Sequence, residues 1–226
     1  MNNRGVRLLP APLIAGFTDL VAPVSEWLIR MRVRPNTITS ASAIVVIGAG
    51  AAFGLDLPRL GAAWLLLSGL LDILDGQVAR GGGMASKFGA FFDSTLDRIG
   101  EAILFAGIAI YFQTAPSQSM PVAGVVLTLA VLTGSFLVSY TRARAEGLDV
   151  ECRVGLAQRP ERILGLGVPT LFFGAGPHGL LLLAIMFALA VLSWITVVQR
   201  VGHVYRATNG AVASPTDSDV PRQPPR

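Results

Sequence analysis

Six long stretches of the chain are dominated by hydrophobic residues. They cover residues 38–55, 60–80, 88–112, 121–143, 161–176 and 178–204. A helix needs about 20 apolar residues to cross the hydrocarbon core of a bilayer. The fifth stretch is the shortest and contains Gly165, Gly167 and Pro169, whereas the others approach or exceed that length. The pattern therefore predicts an all-α membrane protein with six transmembrane helices.

The stretch from Pro12 to Arg34 is mixed rather than uniformly apolar. Its hydrophobic residues recur at helical spacing, with Asp19, Glu26 and Arg30 between them: Leu13, Phe17, Leu20, Val24, Trp27 and Met31. This pattern is typical of an amphipathic helix lying on the membrane surface. We therefore divide the chain into a cytoplasmic N-terminus with an interfacial helix (1–37), a six-helix domain (38–206) and a disordered cytoplasmic tail (207–226), which is rich in Pro, Ser and Asp.

Composition supports the membrane assignment. Hydrophobic residues make up 52% of the 226 residues and charged residues 14%, whereas soluble domains carry about 25% charged residues. Met1–Pro10 is basic and polar, so we expect no cleavable signal peptide. The single cysteine, Cys152, excludes an intrachain disulfide.

The basic residues are distributed by topology. On one side we expect Arg30, Arg32, Arg34, Lys87, Arg142, Arg144, Arg153, Arg159, Arg162, Arg200 and Arg206. The opposite loops hold Asp56 and Arg59 and no further charge in 113–120 or 174–177. By the positive-inside rule, both termini are cytoplasmic, as in a multi-pass protein of a bacterial inner membrane. The net charge of +4 then reflects the membrane topology. Because the arginines are spread over short loops, we expect no nucleic-acid binding.

Four aspartates interrupt the second and third apolar stretches: Asp72, Asp75, Asp93 and Asp97. Charged side chains at the bilayer centre cost about 2.5–3.5 kcal/mol on insertion scales, so they are rare and usually functional. Helical spacing places the first pair on one face with Gly76 and Ala79, and the second pair on an i, i+4 stripe that continues to Glu101. Because the link between these helices is short, we expect antiparallel neighbours whose acidic faces meet near the cytoplasmic side.

Carboxylates without His or Cys favour Mg²⁺, Mn²⁺ or Ca²⁺ over zinc. Four of them are enough for two ions that would clamp a phosphoryl displacement, with Arg80 placed to meet phosphates. A proton or cation pathway without chemistry is the alternative. Gly76, Ala79 and Gly89 fit either a ligand site or close helix packing. Glu101 fits either a supporting contact, to Arg98 or a ligand-bound water, or a buried ion pair.

Eight positions between Asp72 and Asp97 resemble, in identity and spacing, the signature of the CDP-alcohol phosphotransferases: Asp72, Asp75, Gly76, Ala79, Arg80, Gly89, Asp93 and Asp97. The resemblance implies transfer of a phosphatidyl or phosphoalcohol group from a CDP-linked donor to an alcohol, with release of CMP. It implies that the four aspartates bind two Mg²⁺ ions, with Mn²⁺ as the alternative, and that Asp97 also acts as general base. It suggests a homodimer embedded in membrane lipid.

The same resemblance implies a CDP-lipid site. Its residues would be Asn36, Thr37, Ile38, Thr39, Gly76, Ala79, Arg80 and Ser86. Considered without the resemblance, Asn36 and Thr39 are more typical of helix caps.

Several arginines bear on the acceptor. The segments around Arg142, Arg144, Arg162 and Arg200 resemble those of bacterial phosphatidylinositol phosphate synthases, which implies that these arginines hold the phosphate of inositol 1-phosphate. The alternative is that they are positive-inside anchors, as we interpret Arg153 and Arg206. Residues 147–158 lack the glycine-rich loop expected of the nearest members.

The sequence therefore predicts an enzyme of phospholipid biosynthesis. It would take CDP-diacylglycerol and a phosphorylated polyol, inositol 1-phosphate in our interpretation. Glycerol 3-phosphate, giving phosphatidylglycerol phosphate, is the alternative acceptor. An ion-coupled transporter is the alternative from another class.

Overall fold

A computed structural model describes residues 11–115, 119–152 and 154–209, which fold into helices and connecting loops. The helices are α1 (Ala11–Arg30), α2 (Pro35–Gly54), α3 (Pro58–Gly81), α4 (Lys87–Thr114), α5 (Pro121–Glu146), α6 (Arg159–Phe173) and α7 (Leu180–Asn209), with a single 3₁₀ turn, Pro177–Gly179, before α7. Each predicted apolar stretch corresponds to one of α2–α7. Residues 1–10, Arg153 and the predicted tail beyond 209 lie outside the described residues.

Prolines start several helices, because proline loses no hydrogen bond in the first turn. α2, α3, α5 and α6 all carry proline at one of their first two positions. The N-cap of α2 is Arg34, which makes no side-chain capping bond. The interpretation of Asn36 and Thr39 as caps is therefore wrong, since both lie inside the helix.

Four helical segments are long and apolar enough to cross a membrane: Pro35–Gly54, Pro58–Gly81, Pro121–Glu146 and Pro177–Asn209. The chain is thus a multi-pass membrane protein. Two predicted spans do not meet the same criteria. α4 has 28 residues but carries Asp93, Asp97, Arg98 and Glu101 between its first turn and its middle. α6 has 15 residues, fewer than the ~20 that a perpendicular span needs.

α2 is the centre of the first half of the bundle, where it packs extensively against both α3 and α4. Glycine makes one of these contacts possible: a Cβ on Gly107 would lie 1.9 Å from the Gly50 carbonyl oxygen. Among the described residues, the backbones of α3 and α4 hardly approach each other. The predicted antiparallel neighbours are separated by α2, because a short link does not prevent a third helix from packing against both. Their acidic faces nevertheless meet, as predicted.

The second half is arranged around α5 and α7, which pack together. α5 also contacts α4, and α6 lies against α3 and α7. The apolar core joins both halves through Phe53, Phe105, Phe112, Leu166 and Met186. As a result, the start of α6 faces the acidic segments of α3 and α4.

α1 packs on α3 through one face. Val21, Leu28 and Ile29 of α1 belong to a small cluster that includes Leu74 and Val78. An adjacent face exposes Val24 and Trp27 of the predicted apolar stripe, and Met31, just after the helix, is also exposed. The side chains of Leu13, Phe17 and Leu20 lie outside the described set.

Candidate active site

The two aspartates of α3 are held by hydroxyl groups of α2. Ser42 Oγ donates to Asp72 Oδ1 at 2.5 Å and lies 3.1 Å from the Ser68 carbonyl. Thr39 Oγ1 donates to Asp75 Oδ2 at 2.7 Å. Each hydroxyl orients one carboxylate. The packing of α2 against α3 therefore sets the direction in which Asp72 and Asp75 point.

The aspartates of α4 complete the acidic cluster. Asp93 and Asp97 lie one helical turn apart, and Asp93 interacts electrostatically with both Asp75 and Asp72. Asp97 in turn interacts with Asp72 and Asp93. The structure thus brings the four predicted acids together, although the backbones of α3 and α4 hardly approach each other.

Arg159, at the start of α6, is a residue of this site that the sequence interpretation missed. Its Nη1 lies 2.6 Å from Asp72 Oδ2 and 2.7 Å from Asp97 Oδ1. One guanidinium nitrogen therefore bridges acids on two different helices. Arg98 lies on the far side of Asp97, with its Nη1 3.6 Å from Asp97 Oδ2 and bonded to the Ser94 carbonyl at 2.8 Å.

The donor set fits a divalent metal. Hard carboxylate oxygens on facing segments are the ligands that Mg²⁺ and Mn²⁺ prefer. Asp72 Oδ2 is paired with Arg159 at 2.6 Å but accepts no hydrogen bond of regular geometry within the described part of the chain. In the observed arrangement, however, no group of three His, Cys, Asp or Glu side chains among the described residues takes up a metal-binding geometry. Arg159 supplies the positive charge between Asp72 and Asp97.

Glu101 continues the acidic stripe and forms a buried ion pair. Its Oε1 lies 2.5 Å from Arg162 Nη2, and its Oε2 accepts from Ser135 Oγ at 2.6 Å. Arg162 also donates to the Ala157 carbonyl at 3.0 Å. Of the two roles considered for Glu101, the structure supports the ion pair, with Arg162 rather than Arg98 as the partner.

The other predicted acceptor arginines differ in environment. Arg200 is buried and interacts electrostatically with Arg162 and Arg142. Arg142 is exposed and paired with Glu146 at 2.8 Å. Arg144 is also exposed, two residues further along α5. Arg142 and Arg162 thus lie within electrostatic range of Arg200, and each of them is also paired with a glutamate.

The loop between α5 and α6 is fastened to α7. Thr196 Oγ1 accepts from the Leu156 and Ala157 amides at 3.1 and 2.9 Å. Arg200 donates to the carbonyls of Val154, at 2.9 Å, and Val138. Further along, His203 Nε2 lies 3.0 Å from the Glu151 carbonyl. These contacts fix the start of α6, and with it Arg159 and Arg162.

The predicted CDP-lipid residues lie in different environments. Asn36 and Ser86 converge on Gly89, where a Cβ would lie 3.3 Å from Asn36 Oδ1 and 3.0 Å from Ser86 Oγ. Ser86 is the N-cap of α4 and accepts from the Gly89 amide at 2.9 Å.

Arg80 folds over Gly76, with its Nη1 3.1 Å from where a Cβ would be. The remaining predicted residues are less uniform. Thr39 is committed to Asp75, Ile38 is buried in the cluster with Val78, Thr37 is exposed and Ala79 is half-buried.

Sequence comparison assigns this arrangement to a family. The model of the CDP-alcohol phosphatidyltransferases matches residues 32–205, which include α2–α6, most of α7 and every acid of the site. The chain belongs to the CDP-alcohol phosphatidyltransferase family and is thus a transferase of substituted phosphate groups. Family membership favours this chemistry over the transporter hypothesis.

Two relatives are more specific. The chain is 36% identical over 195 residues to the archaetidylinositol phosphate synthase of Methanothermobacter thermautotrophicus, covering 86% of this chain and 92% of the relative. It is 36% identical over 206 residues to the phosphatidylinositol phosphate synthase of Mycolicibacterium smegmatis, covering 88% and 89%.

Solved structures agree with the sequence relatives. The phosphatidylinositol phosphate synthase of Mycobacterium tuberculosis with CDP-DAG bound superposes with a TM-score of 0.70 at 31% identity, covering 83% of this chain and 94% of that one. A second structure of that enzyme, in complex with manganese and citrate, also gives a TM-score of 0.70, covering 81% and 88%. Divalent-metal dependence in this family is consistent with the four-aspartate cluster.

Proposed function

We propose that this protein transfers a phosphatidyl group from CDP-diacylglycerol to inositol 1-phosphate and releases CMP. The observation that carries the proposal is the four-aspartate signature. Ser42 and Thr39 hold Asp72 and Asp75, and Arg159 bridges Asp72 and Asp97. The choice of acceptor is supported by the relatives, which are named as inositol phosphate lipid synthases at 36% identity.

Asp97 is the proposed general base. It takes the proton of the acceptor hydroxyl while that oxygen forms a bond to the phosphorus of the phosphatidyl group. The bond from this phosphorus to the oxygen of CMP breaks, and CMP leaves. Arg98 lies beside the Asp97 carboxylate and would hold its orientation. General base catalysis of this kind contributes about 10²–10⁴-fold to a rate.

Asp72, Asp75, Asp93 and Asp97 would hold two Mg²⁺ ions, or Mn²⁺. When bound, such ions neutralise the negative charge that develops on the phosphate oxygens during transfer. The manganese complex of the Mycobacterium tuberculosis enzyme supports a divalent ion in the family. Ser42 and Thr39 would keep Asp72 and Asp75 aimed at it, as hydrogen-bond partners of metal ligands generally do.

The CDP-lipid site would be formed by Asn36, Thr37, Ile38, Thr39, Gly76, Ala79, Arg80 and Ser86. Arg80 over Gly76 offers a guanidinium to the diphosphate, and the Ser86 hydroxyl can donate a hydrogen bond while it accepts one from Gly89. Ile38 is buried and the Thr39 hydroxyl is bonded to Asp75. These two residues would therefore shape the side of the nucleotide site rather than donate hydrogen bonds to the nucleotide.

The acceptor phosphate would meet the region of Arg142, Arg162 and Arg200, with Arg144 at its rim. Clustered guanidinium groups suit a phosphate dianion because each can donate two parallel hydrogen bonds. Glycerol 3-phosphate carries the same phosphate and is the alternative acceptor. A free alcohol would offer these arginines no phosphate, and Arg142 and Arg162 would keep Glu146 and Glu101 as their partners.

For the membrane arrangement we propose six crossings, with α1 on the surface and both termini and the aspartates facing the cytoplasm of a bacterial inner membrane. The exposed Val24, Trp27 and Met31 support contact between α1 and lipid. The arginine distribution supports the orientation. The functional domain would span 38–206 and assemble as a homodimer.

The test is CMP release by the purified full-length protein with CDP-diacylglycerol and Mg²⁺. Parallel reactions contain inositol 1-phosphate, glycerol 3-phosphate, serine or no acceptor. We expect release with inositol 1-phosphate alone. Release with glycerol 3-phosphate instead would refute the acceptor but keep the transfer chemistry, and no release with any of them would contradict the proposed donor and acceptor together.

A further inference from the structure

We propose that Arg159 is an internal competitor of the divalent metal: its guanidinium neutralises Asp72 and Asp97 in the metal-free protein and leaves them when the metal binds. This inference rests on the proposed metal role of the aspartates. It adds a defined rearrangement of one side chain to that role.

The first argument is the position of a single atom. Arg159 Nη1 lies within 2.7 Å of both Asp72 Oδ2 and Asp97 Oδ1. A Mg²⁺ ion that joins the same two oxygens must approach each to about 2.1 Å. Both positive groups would then crowd into the space between the two oxygens and repel each other. The contact with Arg159 therefore competes with metal ligation by these oxygens.

The second argument is electrostatic. Asp72 and Asp97 have side chains only 15% and 12% exposed, so water alone compensates their charges poorly, and Asp93 adds a further negative charge to both. Buried like charges that lack a counter-ion are strongly unfavourable. A positive group between these acids consequently stabilises a metal-free form, and Arg159 provides it.

The third argument is that the Arg159 side chain is partly exposed and borders a small cavity. Its Nε is buried without a hydrogen-bond partner among the described residues, and its side chain remains 26% exposed. A small cavity next to it is lined by Glu101, Arg162 and Ser68 together with Leu65 and Leu104. Glu101 also attracts Arg159 electrostatically, so the displaced guanidinium keeps an acidic neighbour.

The experiment measures Mn²⁺ binding to metal-free full-length protein in detergent, by the loss of the free-ion signal in electron paramagnetic resonance. We compare wild type with Arg159→Gln and with the matched control Arg98→Gln. Both variants remove one positive charge beside Asp97, but Arg98 does not bridge two acids. We expect R159Q to bind Mn²⁺ about tenfold or more tightly than wild type and R98Q to change affinity about threefold or less. Equal effects of the two variants would refute direct competition.

A second measurement uses the wild-type protein and does not depend on folding of a variant. Phenylglyoxal modifies accessible guanidinium groups, and mass spectrometry gives the extent of modification at Arg159 and Arg98. We expect Mn²⁺ to increase modification of Arg159 severalfold while leaving Arg98 nearly unchanged. Binding of Mn²⁺ without increased modification would refute the inference alone, whereas absence of Mn²⁺ binding would contradict the metal assignment as well.

Discussion

The Glu101 carboxylate lies 2.5 Å from the Arg162 guanidinium, and the two side chains are 12% and 5% exposed. The pair joins α4 to α6, and Ser135 on α5 donates a hydrogen bond to the second carboxylate oxygen of Glu101. Three helices therefore meet at one charged contact behind the acidic cluster. Removing either partner would leave the other charged and shielded from water.

Glu101→Gln should destabilise the protein by about 3 kcal/mol, because the Arg162 charge then lacks a counter-ion in a low-dielectric environment. Unfolding by SDS in mixed micelles measures this loss. The double variant E101Q/R162Q should be less destabilised than the sum of the two single variants, since neither charge remains. Strict additivity would show that the ion pair contributes nothing to stability.

Arg162→Ala should raise the KM for the acceptor more than the KM for CDP-diacylglycerol, because we place Arg162 in the acceptor region. Steady-state kinetics with each substrate varied in turn separates the two constants. Arg206→Ala is the matched control: Arg206 is exposed near the end of α7 and should change neither constant. A rise confined to the KM for CDP-diacylglycerol would contradict the assignment of Arg162 to acceptor binding.

Asp97→Asn should lower kcat by about 10²–10⁴-fold while CDP-diacylglycerol still binds, since an amide cannot take a proton from the acceptor hydroxyl. Turnover is followed by CMP release and donor binding by calorimetry. Asp56→Asn, the same change in the loop between α2 and α3, should retain turnover. Near-normal turnover of D97N would show that another group is the base.

Ser42→Ala should weaken Mn²⁺ binding about tenfold, because Asp72 loses the hydroxyl that orients it. Paramagnetic resonance titration gives the affinity. Ser40→Ala is a close control on the same helix, since the Ser40 hydroxyl donates to the Asn36 carbonyl at 2.9 Å rather than to an aspartate. Equal affinities for S42A and wild type would mean that Ser42 does not support the metal ligand.

Gly107→Ala should destabilise the bundle by about 1–3 kcal/mol or prevent folding, because the added methyl group collides with the backbone of α2. Gly54→Ala places its methyl 3.6 Å from the nearest atom, an ordinary contact, and should be tolerated. Thermal unfolding in detergent compares the two. A stable G107A protein would contradict the close approach of α2 and α4.

The helices and the acids were predictable from the sequence because each depends on a local pattern. Apolar runs bounded by proline predict where the helices lie in the chain. The spacing of Asp72, Asp75, Asp93 and Asp97 predicts that the four acids form one cluster. The placement of α2 between α3 and α4 was not predictable in this way. It depends on complementary surfaces such as Gly50 and Gly107, which hydrophobicity alone does not distinguish from other small residues.

Arg159 and Ser42 were missed for different reasons. An arginine at the end of an apolar stretch fits the positive-inside rule, so the role of Arg159 as a counter-ion had no separate signal except that Arg162 follows one turn later. A serine within an apolar helix is ordinary in membrane proteins, where small residues line helix contacts. Only the proximity of Asp72 in space distinguishes Ser42 from Ser40.

The attachment of the α5–α6 loop to Thr196, Arg200 and His203 has a consequence for engineering. Exchanging the acceptor preference between two relatives by grafting this loop alone would separate it from the hydroxyl and guanidinium groups that set its path. The start of α6 would then lose its register against the acids. The smallest transplantable unit is the loop together with α6 and α7, so chimeras should join at the end of α5.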